Sequence, residues 1–164
     1  MGTTKKPRKA YRPRTAPLLS PVYFIGRMKP ADGPAKRYTQ LRYHGALDNL
    51  VHGRGTKADW QDLAEALNMT LLLCEQGVGA EHLAFAQEAM QVMFPLRDRF
   101  HRCGSMVPTG PERKTLILAL DLHDQQLESG IHAGLVEDCY DEMNRRIAAG
   151  KFISPELPEH KAAA

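Results

Sequence analysis

The chain has 164 residues, 43% of them apolar and 25% charged, with a formal net charge of +3. That length suits one domain with an extension, and no apolar stretch approaches the roughly 20 residues of a membrane-spanning helix. The small net charge conceals a split: the first 42 residues carry eleven Lys or Arg against Asp32 alone, while the remaining 122 carry eleven basic and eighteen acidic residues. Such an asymmetry points to a polyanionic or acidic partner.

Residues 1–36 read as a basic, proline-rich arm. Pro7, Pro13, Pro17, Pro21, Pro30 and Pro34 each fix a backbone dihedral, lack a donor and push the preceding residue toward extended conformations, so no helix is expected here. Its tip holds Lys5, Lys6, Arg8, Lys9, Arg12 and Arg14, with Tyr11 among them. These cations can neutralise phosphates, arginine in a two-pronged fork, while the ring stacks on a base or a guanidinium. Two competing readings are a solvated tail and an arm that docks on an acidic protein surface. The segment 18–25, with Leu18, Leu19, Val22, Tyr23, Phe24 and Ile25, is an apolar island expected to dock on the body or on a partner. Leu18, Leu19, Tyr23 and Phe24 would be its anchors. It is too short, and too interrupted by Pro21, to read as a secretory leader.

The body, residues 37–153, shows helical periodicity. Tyr38, Leu41, His44 or Gly45, and Leu47 to Val51 outline a first helix, ended by Gly53 and Gly55. Thr56 and Asp59 form a capping pair ahead of a second, carrying Trp60, Leu63, Ala64, Leu67, Leu71 and Cys74, which Gly77 can close. A third helix from about Ala80 has two stripes, Leu83, Ala86, Met90, Met93 and Phe85, Ala89, Val92, Leu96, and Pro95 predicts a kink or break before Leu96. Pro111 opens a fourth helix bearing Leu116, Ile117, Leu120, His123 and Leu127. A fifth carries Ile131, Leu135, Cys139, Met143 and Ile147, with a break at Ser129 and Gly130 favoured over one continuous helix. Residues 154–164 are expected to be a loose tail. The fold class is all-α, a four- to five-helix, up-and-down bundle behind an extended arm.

Little in the body carries chemistry of its own. His101 and Cys103, and Asp121, His123, Asp124, Glu128 and His132, lack the repeated spacing of a zinc site, and His123 reads as a core-edge histidine. Cys74 and Cys139 fall in apolar stripes as inert thiols, leaving Cys103 as the one candidate for reactivity. The odd, scattered cysteines fit free thiols in a reducing, cytoplasmic setting. Glu137, Asp138, Asp141 and Glu142 form an acidic face, and Arg145 and Arg146 follow four residues after Asp141 and Glu142, the spacing of surface ion pairs rather than of a catalytic carboxylate pair. Trp60 is core, and no glycine run forms a phosphate loop. No enzyme activity, metal or cofactor is expected.

The opening run Lys6-Pro7-Arg8-Lys9-Ala10-Tyr11-Arg12-Pro13-Arg14, followed by a small helical body, resembles uncharacterised proteins of similar size carried by prophages and other mobile elements of proteobacteria. The resemblance implies a bacterial or phage cytoplasmic accessory protein acting on DNA, RNA or a host protein, and it transfers no catalytic residue. The leading expectation is a non-enzymatic protein whose arm grips DNA or RNA while the bundle supplies dimerisation or partner contacts. Because the body is acidic, the arm alone is expected to carry the affinity. The alternative is a protein-interaction module, for instance a phage factor that inhibits or redirects a host complex. A third reading has the arm docking on its own acidic helix near Glu137 and Asp141.

Overall fold

The computed structural model describes residues 34–154, which are all-helical. α1 spans Pro34–Val51, α2 Lys57–Glu75, a 3-10 turn Ala80–His82, α3 Leu83–Gln91, α4 Met93–Cys103, α5 Gly110–Glu128 and α6 Ala133–Ala148. Among the described residues no helix is long and apolar enough to cross a membrane.

α2 is the hub: it packs against α1, the 3-10 turn, α3, α5 and α6. Its start is fixed by the expected capping box, in which Asp59 accepts from the Thr56 backbone N–H at 2.7 Å and the Thr56 hydroxyl accepts from the Asp59 N–H at 3.3 Å. The single stripe read from the sequence understates its burial. From Ala66 to Cys74 every residue is buried, as neighbours on all sides require. Leu63, Leu67, Leu72 and Leu73 are at most 1% exposed, and each contributes about 2 kcal/mol of apolar transfer before chain entropy is counted.

Side-chain contacts between helices fix their directions. Gln40 and His44, early in α1, meet Asp124 near the end of α5, whereas a Cβ at Gly53, just past α1, would lie 3.6 Å from Val107 just before α5. Gln126 donates to the carbonyls of Thr70 and Val78, so α2 and α5 run the same way and α1 opposes both. The α3–α4 pair returns from the 3-10 turn to the start of α5, where Arg99 meets Glu112 at 3.0 Å. Thus α1 to α5 do go up and down, and the turns 52–56 and 104–109 share one end. α6 adds a smaller layer, with Cys139 and Met143 packed on Met69, Leu72 and Leu73.

Several expectations need correction. α1 begins at Pro34, inside the stretch expected to be helix-free, because proline suits the first helical turn, where no donor is needed. Its buried face is Tyr43, Ala46, Leu47 and Leu50, whereas Tyr38 and Leu41 are 66% and 73% exposed. On α5, Ile117 is 40% exposed, and Ala119, Leu122 and Gln126 are buried beside Leu116 and Leu120. The break attributed to Pro95 falls earlier, at Val92, because a proline ring clashes with the carbonyl four residues back, that of Gln91. Pro95 then sits in the first turn of α4. The break between the last two helices is as favoured, with Gly130 at φ +77°. Finally, Ser154 is not loose: its carbonyl accepts from the Trp60 indole at 3.2 Å, and that of buried Ile153 from Asn68 at 2.8 Å. The remainder of the expected tail, residues 155–164, lies outside the described residues.

Candidate functional site

The predicted contact residues Lys5, Lys6, Arg8, Lys9, Tyr11, Arg12 and Arg14, and the anchors Leu18, Leu19, Tyr23 and Phe24, lie outside the described residues. The described chain begins at the N-terminus of α1, so the arm joins the bundle at the end where α5 finishes.

Beside that junction runs a polar seam that the sequence reading missed. Asp124 on α5 accepts from the Tyr43 hydroxyl, from the Gln40 amide at 3.0 Å and from His44 Nε2 at 2.7 Å, all on α1. Burial pushes its carboxyl upward, but the bonds from Tyr43, His44 and Gln40 outweigh that and hold it below the usual carboxylate range. Arg42 pairs with Asp62 across α1 and α2, and the Tyr140 hydroxyl of α6 donates to Glu65 of α2 at 2.6 Å. The phenols of Tyr43 and Tyr140 are raised well above the ordinary range, first by burial and then by their carboxylate acceptors. Proton transfer from either at neutral pH is unfavourable, so each acts as a donor tying helices together. The only advance signal was the spacing of Gln40, Tyr43 and His44 on one helical face.

His123 lies behind the seam, 3% exposed rather than at the edge of the core. Its ring stands edge-on to Tyr43 with centroids 5.2 Å apart, and Nδ1 has no hydrogen-bond partner among the described residues. Burial lowers its pKa to about 4, with the nearby Asp124 charge only partly opposing, so the imidazole is neutral at pH 7. With Arg42, Asp62, Glu65 and Tyr140 it lines a cavity of about 20 Å³, room for about one water. No serine or cysteine lines that cavity, and each of its carboxylates is already bonded to a neighbouring helix.

Among the described residues no three His, Cys, Asp or Glu side chains come together as a metal ion would need. Cys74 and Cys139 are buried and burial raises both thiols, whereas Cys103 is exposed with its Sγ 3.2 Å from the Arg99 carbonyl. On α6 the expected pair of Glu142 with Arg146 forms, at 2.6 Å, whereas that of Asp141 with Arg145 does not. Arg145 also meets Glu142, Arg146 also reaches Glu75 on α2, and Asp141 has no ion pair among the described residues.

The folded charge distribution is not the uniform acidity the body's composition suggested. Residues 34–154 hold thirteen Lys or Arg and sixteen Asp or Glu, yet Arg54, Lys57, Arg99, Arg102, Arg113 and Lys114 all sit where α1 and α4 end and α2 and α5 begin. No protein-family model, no curated protein and no solved structure matches the chain.

Proposed function

We propose that this is a non-enzymatic, cytoplasmic accessory protein of a phage or mobile element that binds nucleic acid through its basic N-terminal arm, with the bundle as a rigid mount. The observation that carries the reading is the charge contrast along the chain. Residues 1–33 hold eight Lys or Arg against one Asp, beside a described body with three more acids than bases. The polar seam supports a mount rather than a catalyst, because its phenols and carboxylates are engaged in joining α1, α2, α5 and α6. In such an arrangement the arm supplies affinity through phosphate contacts, insensitive to base sequence.

Fluorescence anisotropy of labelled duplex and single-stranded DNA and RNA, with the full chain and with residues 1–16 deleted, tests the reading across a salt series. The six arm cations contribute about −5 to the slope of log affinity against log salt, from about −0.9 per phosphate contact on duplex, and that share is lost with the deletion. The deletion is expected to weaken binding by orders of magnitude. Unchanged binding after it would refute the arm's role.

One observation favours a second reading, a protein-interaction module. Tyr38 and Leu41 are exposed on the first turns of α1, directly after the arm. With Leu18, Leu19, Tyr23 and Phe24 they would extend an apolar docking strip for a protein partner. Substituting those four residues would then break the complex and leave nucleic-acid affinity nearly unchanged.

A further inference from the structure

We infer that the end of the bundle remote from the arm's root is a second phosphate-contacting surface, so that a nucleic-acid duplex is held at two places, by the arm and by this end. The inference rests on the nucleic-acid reading for the identity of the partner, but its location comes from the fold alone.

Four helix termini meet there, as the approach of Val107 to Gly53 and the pairing of Arg99 with Glu112 establish. They bring together six Lys or Arg that are scattered from position 54 to position 114 in the chain. The acids at this end are mostly consumed locally. Asp48 pairs with Arg54 at 3.0 Å, and Glu112 pairs with Arg99 at 3.0 Å while bonding the Thr109 N–H. Asp59 is 8% exposed and held by Asn49 and Thr56, and Asp98 lies against Arg97. Lys57, Arg102, Arg113 and Lys114 remain: all four are exposed, and none has a carboxylate partner among the described residues. Cations left uncompensated on an otherwise acidic body make a local field of the sign that a phosphate backbone requires.

The dimensions suit a duplex. Two helix spacings of 8–10 Å make this end about 20 Å across, comparable to roughly six base pairs at 3.4 Å each. α1 separates it from the arm's root by about 27 Å, eighteen residues at 1.5 Å. The nineteen residues from Thr15 to Gly33 span at most about 65 Å, so the length of the arm does not prevent its tip from reaching the same duplex. The carboxylates of Asp121, Glu128 and Asp141, unpaired among the described residues, lie away from this surface and disfavour docking of a duplex along the bundle's flank.

The test uses the full chain, duplex DNA and a salt series. Neutralising all four cations (Lys57→Gln, Arg102→Gln, Arg113→Gln, Lys114→Gln) is expected to weaken binding at least about tenfold and to make the salt slope shallower by about 3 to 4. Arg113→Gln with Lys114→Gln alone is expected to give about half that change. Arg145→Gln with Lys151→Gln, which removes charge elsewhere, is expected to leave the slope as it was. Thermal melts that coincide with the parent keep these readings separate from unfolding. If the fourfold variant binds with unchanged affinity and slope while the arm deletion abolishes binding, the inference fails and the arm reading stands. If the arm deletion changes nothing while the fourfold variant loses binding, the arm reading fails and this surface is the site. Absence of duplex binding by the full chain, or an equal loss from the Arg145/Lys151 control, overturns the inference.

Discussion

His123 gives a sharp prediction because its neighbourhood fixes both a sign and a size. The folded state holds the imidazole neutral with a pKa of about 4, against 6.5 for the ordinary group. Above pH 6.5 neither the folded nor the unfolded chain binds the proton, and His123 makes no pH-dependent contribution. As the pH falls, the unfolded chain takes up the proton first, so stability is lost between about 6.5 and 4 and the loss levels off below. At 1.36 kcal/mol per pKa unit the full effect is about 3 kcal/mol, of which about 2 kcal/mol has appeared by pH 5. Urea unfolding of the parent and of His123→Leu, followed by circular dichroism from pH 7.5 to pH 5, isolates the contribution. The variant keeps every other titrating group, and Nδ1 has no hydrogen-bond partner among the described residues to lose. The parent should lose about 2 kcal/mol more than the variant over that range, a midpoint difference of roughly 1 M at ordinary slopes. Parallel pH profiles would refute the assignment of a buried, neutral imidazole.

Three further outcomes follow from the packing. Asp124→Ala strips the shared acceptor from Tyr43, Gln40 and His44 and should cost about 2–3 kcal/mol in denaturant unfolding, with Asp124→Asn costing less because an amide oxygen still accepts. Asn68→Ala removes the bond to the Ile153 carbonyl, at about 1–3 kcal/mol, and should speed proteolysis at Lys151, where an unchanged cleavage rate would mean that the segment is held by Trp60 and Phe152 alone. A thiol reagent should modify Cys103 alone in the native protein and all three cysteines in urea, since Cys74 and Cys139 are 1% and 2% exposed.

The helices were legible where one face is buried and the ends are marked. Thr56 with Asp59, Gly77, and the apolar repeat from Ile131 to Ile147 name their elements without help from tertiary structure. α1 was misread at its start because pattern alone weighs Tyr38 and Leu41 as heavily as Leu47 and Leu50. Which of two overlapping stripes is buried depends on where α2 and α5 lie. The full burial of α2 was illegible for the same reason: Asn68 and Thr70 read as polar interruptions until Ile153 and Gln126 are seen to satisfy them. Pro95 marked a break correctly but not its place, because its steric conflict acts one turn upstream.

Charge counted along the chain does not give its distribution on the folded surface. An average over residues 43–164 is acidic and suggests a body that repels phosphate throughout. An up-and-down bundle does not present its charges in chain order, however: alternate turns share an end. Arg54 and Lys57 flank the first turn, and Arg102, Arg113 and Lys114 flank the third, so folding concentrates them, while the second turn and the start of α6 gather Glu75, Glu81, Glu128 and Glu137 toward the other end. The topology read from the sequence therefore already contained this sorting. That sorting replaces one uniformly acidic body by one with uncompensated cations at the first and third turns, and with Glu75, Glu81, Glu128 and Glu137 toward the end where Lys36 and Arg37 open α1. The proposed second contact for a phosphate backbone therefore lies about 27 Å along α1 from the arm's root.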